Sequence, residues 1–147
     1  MHRVSLGKLI IVVGLPGASK STLLERKSSS LTAMCIDDFH ANAINDSSLV
    51  RDSRHFARMI DALQTGHDCM ITDIAFCEQH RRELLSDTVS RELGAVLVEW
   101  IFFENAPDKC IRNIRERNRP SLISDLAELD RLLLLYSIPT GVTPLPV

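Results

Sequence analysis

The sequence predicts a three-layer α/β/α sandwich around a mainly parallel sheet of about five strands, and three observations carry that prediction. Strand-like apolar runs alternate with segments of helical periodicity, the order that builds a parallel sheet covered on both faces. The first run, Leu9-Ile-Ile-Val-Val13, is uninterrupted, as a strand buried on both sides requires. Directly after it stands Gly14-Leu-Pro-Gly-Ala-Ser-Lys-Ser21, a glycine-rich turn opening a helix.

Each element follows from local pattern. The first helix is expected from about Lys20 to Lys27, and the run Thr32-Ala-Met-Cys-Ile36, ending in Asp37-Asp38, reads as a second strand. From about Ser47 to Thr65, Leu49, Phe56, Ile60 and Leu63 recur at helical spacing, with Gly66 as the stop. Cys69-Met-Ile-Thr-Asp73 is the third strand. Glu78 to Leu93 places Leu84, Leu85, Val89 and Leu93 on one helical face before Gly94, and Ala95 to Phe103 is the fourth strand. Pro107 suits the first turn of a short helix carrying Arg112, Arg115 and Arg117, which Pro120 interrupts. Ser124 to Tyr136 forms the last amphipathic helix. The tail Val142-Thr-Pro-Leu-Pro-Val147 is a short fifth strand, confined to an edge because each proline removes an amide donor.

The spacing from Gly14 to Ser21 is that of a phosphate-binding loop, so the expected sandwich is that of a P-loop NTPase. Gly14, Pro16, Gly17, Ala18, Ser19, Lys20, Ser21 and Thr22 are the candidate nucleotide-binding residues. Successive amides of such a loop converge on phosphate oxygens at a helix N-terminus. Lys20 is placed to bridge the β and γ phosphates of ATP, and the Ser21 hydroxyl to hold Mg²⁺. The full pattern wants glycine immediately before the lysine, where this chain has Ser19. Serine fits there if the position keeps ordinary helical or bridge angles.

The 147 residues, without linker, repeat or low-complexity run, are expected to form a single domain, residues 1–147. A net charge of -2 argues against a chain whose main business is coating nucleic acid. The four cysteines, Cys35, Cys69, Cys77 and Cys110, have no C-x-x-C spacing and read as reduced, mostly buried thiols. No run approaches the length of a membrane span and no signal-peptide pattern precedes the first strand, so the expectation is a cytoplasmic protein without membrane contact.

Chemistry in a parallel sheet gathers at the carboxyl ends of the strands, where Asp37, Asp38 and Asp73 stand. A kinase needs one carboxylate for the acceptor hydroxyl and another acid to organise Mg²⁺. Asp73 is the candidate on the metal side, with a helix or turn cap as its structural alternative. Asp37 is the candidate base; position does not order it against Asp38, and the pair also suits a capped turn. The stretch Arg112-Asn-Ile-Arg-Glu-Arg-Asn-Arg119 is either a solvated helix face or a lid whose arginines stabilise charge on a transferring phosphoryl group. Arg81 and Arg82 read as surface or salt-bridge residues, with contact to substrate as the alternative.

The order of the Gly14-to-Thr22 loop, Asp37-Asp38-Phe39, Ile71-Thr-Asp73, Arg81-Arg82, Arg112-Asn113 and Tyr136-x-x-Pro139 resembles small P-loop kinases, particularly the kinase domain of phage polynucleotide kinase. The resemblance implies an ATP-dependent kinase with Mg²⁺, Asp37 as general base, Lys20 and Ser21 on the phosphates and metal, and Asp73 as the third-strand acid. It implies a lid arginine at Arg115 or Arg117. Where that family places an arginine for substrate phosphate, this chain has His40. The expected reaction moves the γ-phosphate of ATP to a hydroxyl of a small metabolite, nucleoside or nucleic-acid end. The alternative is a non-catalytic or slow nucleotide-binding module whose nucleotide state controls a partner.

Overall fold

A computed structural model describes residues 5–30, 34–37, 39 and 54–147. Its sheet has four parallel strands: β1 (Leu9–Val13), β2 (Met34–Ile36), β3 (Cys69–Thr72) and β4 (Val98–Phe102), in the order β2-β3-β1-β4. Strand β1 is central and buried along its whole length, which is why its sequence shows no polar alternation. The helices are α1 (Lys20–Ser30), α2 (Arg54–Gln64), α3 (Gln79–Leu93), α4 (Pro107–Arg117) and α5 (Leu122–Leu132). Among the described residues, no helix is long and apolar enough to cross a membrane.

Register fixes where the site lies. Ile11 pairs with Ile71, and Ile71 with Ile36, so the three strands stop nearly level. Gly14, Asp37 and Asp73 therefore emerge along one edge of the sheet, the arrangement expected from the sequence. The Phe39 amide donates to the Thr72 carbonyl at 2.9 Å and holds the exit of β2 against β3.

Several boundaries differ from expectation. Helix α1 runs to Ser30, three residues beyond Lys27, and β4 begins at Val98 rather than Ala95. A 3-10 turn (Ile74–Cys77) intervenes after Asp73, because the Asp73 carboxylate accepts from the Ala75 amide and turns the chain at once. Helix α5 starts at Leu122 and ends at Leu132, so Tyr136 lies beyond it. The expected fifth strand reduces to a single parallel bridge between Phe103 and Leu145 at the edge of β4. Leu145 donates to the Phe102 carbonyl at 2.8 Å and accepts from the Glu104 amide at 2.8 Å, while Pro144 and Pro146 on either side have no amide to extend the ladder. The expected helical segment from Ser47 to residue 53, together with Thr32, lies outside the described residues.

Arg82 is not on the surface, and among the described residues it forms no salt bridge. It is buried, with Nη1 donating to the carbonyls of Phe76 at 2.7 Å and Cys77 at 3.1 Å, and Nη2 to the Ser137 carbonyl at 3.0 Å and hydroxyl at 2.9 Å. The guanidinium also lies 5.2 Å from the Phe102 ring centroid. One cation thus ties the 3-10 turn, β4 and the segment after α5 together. Its planar fork of donors makes arginine suited to carbonyls arriving from several directions.

Candidate active site

The loop from Gly14 to Ser19 packs between the sheet and α4. Gly17 stands at φ 85, and a Cβ there would lie 2.5 Å from the Cys110 carbonyl oxygen and 2.9 Å from Ile114, so only glycine lets α4 approach this closely. The Gly17 carbonyl accepts from Asn113 Nδ2 at 2.9 Å. Gly14 through Ala18, including Pro16, are buried; Ser19, Lys20 and Ser21 are half-buried, and Thr22 is exposed. The buried Cys77 thiol donates to the Gly14 carbonyl at 3.3 Å, and burial pushes its pKa up to about 12, so it remains a neutral donor. Tyr136 closes the floor, its hydroxyl donating to the Phe103 carbonyl and lying 3.4 Å from that of Val13.

Ser19 corrects the sequence expectation. It does not keep helical or bridge angles but stands at φ 74, in the left-handed region that favours glycine. The motif's preference for glycine at this position is therefore a backbone requirement of the loop. Serine occupies it against a steric penalty.

The Lys20 ammonium donates to the carbonyls of Gly14 and Leu15, both at 2.8 Å, and so folds back over its own loop. Burial lowers its pKa below the ordinary 10.5, while the carboxylates of Asp37 and Asp73 work in the opposite direction. The Ser21 hydroxyl donates to Asp37 Oδ2 at 2.6 Å, and a hollow of about 260 Å³ opens against these two residues. Asp73 is only 6% exposed and spends Oδ1 on the Ala75 amide, so the capping role foreseen as its alternative is real. Asp38 and His40 lie outside the described residues. Phe39 is buried and packs on Phe76 and His55, with ring centroids 6.3 and 6.4 Å apart.

Among the described residues no cluster of three or more histidine, cysteine or acidic side chains forms a cage for a metal. The Ser21 hydroxyl is nevertheless a hard oxygen donor of the kind that suits Mg²⁺, which binds through few protein oxygens and completes its shell with phosphates and water.

The arginines of α4 divide. Arg112, Arg115, Arg117 and Arg119 are all exposed, but Arg117 lines a hollow of about 250 Å³ with Ser19, Asn113 and Glu116, between loop and helix. Arg115 is absent from that lining. Sequence reasoning passed over Cys77 as a loop contact, and no pattern marked it. Asn113 and Tyr136 belonged to quoted motifs, but only the fold shows that they bind loop and strand-end carbonyls.

Comparisons agree with this architecture. The chain is similar to the uncharacterized protein R277 of Acanthamoeba polyphaga mimivirus, with 28% identity over 113 residues, 76% of this chain and 73% of that protein. Its fold is similar to a gluconokinase from Sinorhizobium meliloti 1021 (TM-score 0.55, 16% identity, 99% of this chain and 83% of that one). It is also similar to the Mycobacterium tuberculosis APS kinase CysC in complex with AMPPNP and APS (TM-score 0.57, 17% identity, 97% and 88%). A chain of the Pnkp1/Rnl/Hen1 RNA repair complex matches at TM-score 0.56 and 15% identity, over 97% of this chain and 52% of that one. A family described as an AAA domain, AAA_33, matches residues 9–136. With its loop, parallel sheet and helical layers accounted for, this chain belongs to the AAA_33 family of AAA domains and has the fold of small P-loop kinases.

Proposed function

We propose that the chain is an ATP-dependent phosphotransferase that moves the γ-phosphate to a hydroxyl of a small metabolite, nucleoside or nucleic-acid end. The observation that carries this reading is the Ser21 to Asp37 contact of 2.6 Å beside Lys20, which sets a carboxylate next to the place where a terminal phosphate would meet the loop. The Gly14 to Thr22 amides bind the phosphates, and Lys20 exchanges its two carbonyl partners for phosphate oxygens. Ser21 and Asp73, with Asp37 adjacent, are the residues that would hold Mg²⁺, which when bound neutralises phosphate charge.

In the transfer the acceptor oxygen forms a bond to the γ-phosphorus while the bond from that phosphorus to the ADP oxygen breaks. The acceptor proton passes to the Asp37 carboxylate. Arg117, and less directly Arg115, would stabilise charge on the group in flight. The chain's likeness to a gluconokinase and to APS kinase supports the reaction class, and its likeness to a component of an RNA repair complex keeps a nucleic-acid end among the acceptors.

Ser19 favours a second reading, a slow or non-catalytic nucleotide-responsive module, because its side chain occupies a position the loop shapes for glycine. Calorimetric titration with ATP, ADP and GTP, followed by an ADP-release assay across alcohol acceptors, separates the two. Kinase activity predicts that Lys20→Ala abolishes most binding, whereas Asp37→Asn leaves binding nearly intact and slows transfer by roughly a hundredfold or more. Binding without acceptor-dependent turnover supports the module. No heat from any nucleotide rejects both.

A further inference from the structure

Away from the phosphate loop, a cavity of about 700 Å³ opens between α3, β4 and the segment 137–142. Its size falls within the range of small-molecule sites, and among the described residues none of the loop, Asp37, Asp73 or the arginine helix lines it. Its floor is aromatic. Trp100 stacks on Phe102 with centroids 6.4 Å apart, and Phe76 meets Trp100 edge-on at 6.3 Å, which fixes the indole in place.

Gln79, Glu83 and Asp87 recur every fourth residue along α3 and form one wall. Glu83 accepts from Gln79 Nε2 at 3.0 Å, and among the described residues neither Glu83 nor Asp87 has an ion-pair partner. The one cation of the lining, Arg82, directs Nη1 and Nη2 into protein carbonyls and the Ser137 hydroxyl. Beside the hydroxyls of Ser86 and Thr140, the charge that the described lining leaves for an occupant is acidic, above an aromatic surface.

We propose that this cavity binds a compact organic cation, an ammonium or guanidinium head on an apolar body. The apolar body packs on Trp100, and the head meets the Glu83 and Asp87 carboxylates at the rim. The proposal is independent of nucleotide binding.

Trp100 is the single tryptophan of the chain, so its emission reports the cavity directly. The full chain is titrated with phenethylammonium chloride and with two matched probes, phenethyl alcohol and 3-phenylpropanoate. The ammonium is expected to give a saturable change, the alcohol to bind roughly tenfold more weakly, and the carboxylate not to bind. In the Glu83→Gln, Asp87→Asn variant, whose replaced side chains are exposed, ammonium affinity is expected to fall to that of the alcohol with nucleotide binding unchanged. Equal affinities for all three probes, no saturable change with any, or wild-type ammonium binding by the variant would each overturn the proposal.

Discussion

Ser19→Gly is expected to stabilise the chain, an unusual direction for a change inside a functional loop. Ser19 stands at φ 74, where a residue with a Cβ loses about 1 to 2 kcal/mol and glycine loses none. Glycine also frees the unfolded chain, which returns about 0.4 to 1 kcal/mol to the unfolded side. The difference is a net gain of about 0.5 to 1 kcal/mol, or an increase in Tm of about 1 to 4 °C for a chain of this size. The start of α1 should survive the change, because the interaction at this position is the Ser19 carbonyl accepting from the Leu23 amide at 3.2 Å. Thermal unfolding followed by circular dichroism measures the effect, with two companions. Ser19→Ala keeps the Cβ penalty and should melt near wild type, whereas the branched Ser19→Val should melt lower. The reasoning is refuted if Ser19→Gly melts at or below wild type while Ser19→Val is unchanged, since the left-handed backbone would then carry no cost.

Lys20 gives a pH dependence with a defined sign. Burial holds its folded pKa below the ordinary 10.5, so between the two values the unfolded chain carries more protons and ligand-free stability rises with pH toward 10.5. ATP affinity should run the other way, falling as pH rises through the folded pKa, which calorimetric titrations from neutral pH upward will measure. Arg117→Ala is expected to slow single-turnover transfer by roughly tenfold to a thousandfold while Arg115→Ala stays within about twofold, because only Arg117 borders the hollow beside Ser19. Equal effects would return both arginines to the same role. Arg82→Ala strips partners from the Phe76, Cys77 and Ser137 carbonyls and should cost about 3 kcal/mol, lowering Tm by roughly 6 to 12 °C in the same melting assay.

Local pattern was enough for the order of the described elements, because an apolar run of five residues and a helix stop at Gly94 depend on near neighbours alone. The Gly14 to Ser21 loop was equally legible, since its spacing encodes a backbone shape, and the placement of Asp37 beside Ser21 agrees with an acid at the end of a short second strand. The φ of Ser19 was not legible. A residue's letter does not carry its dihedral angle, and this one is imposed by packing of the loop between the sheet and α4.

Arg82 marks the boundary most clearly. On the helix after Asp73 it looked like any solvated cation, and burial became tolerable only because carbonyls from a 3-10 turn and from Ser137, 55 residues away, converge on one guanidinium. The same holds for Arg117 against Arg115 and for the hydroxyl of Tyr136 at the ends of β1 and β4. The sequence by itself determined the strand and helix order, the phosphate loop and the acids at the strand ends, all of them fixed by contacts within a few residues. Only the tertiary structure decided which cations are buried, which arginine borders the loop and what angle Ser19 must hold, because those depend on groups that distant segments bring together.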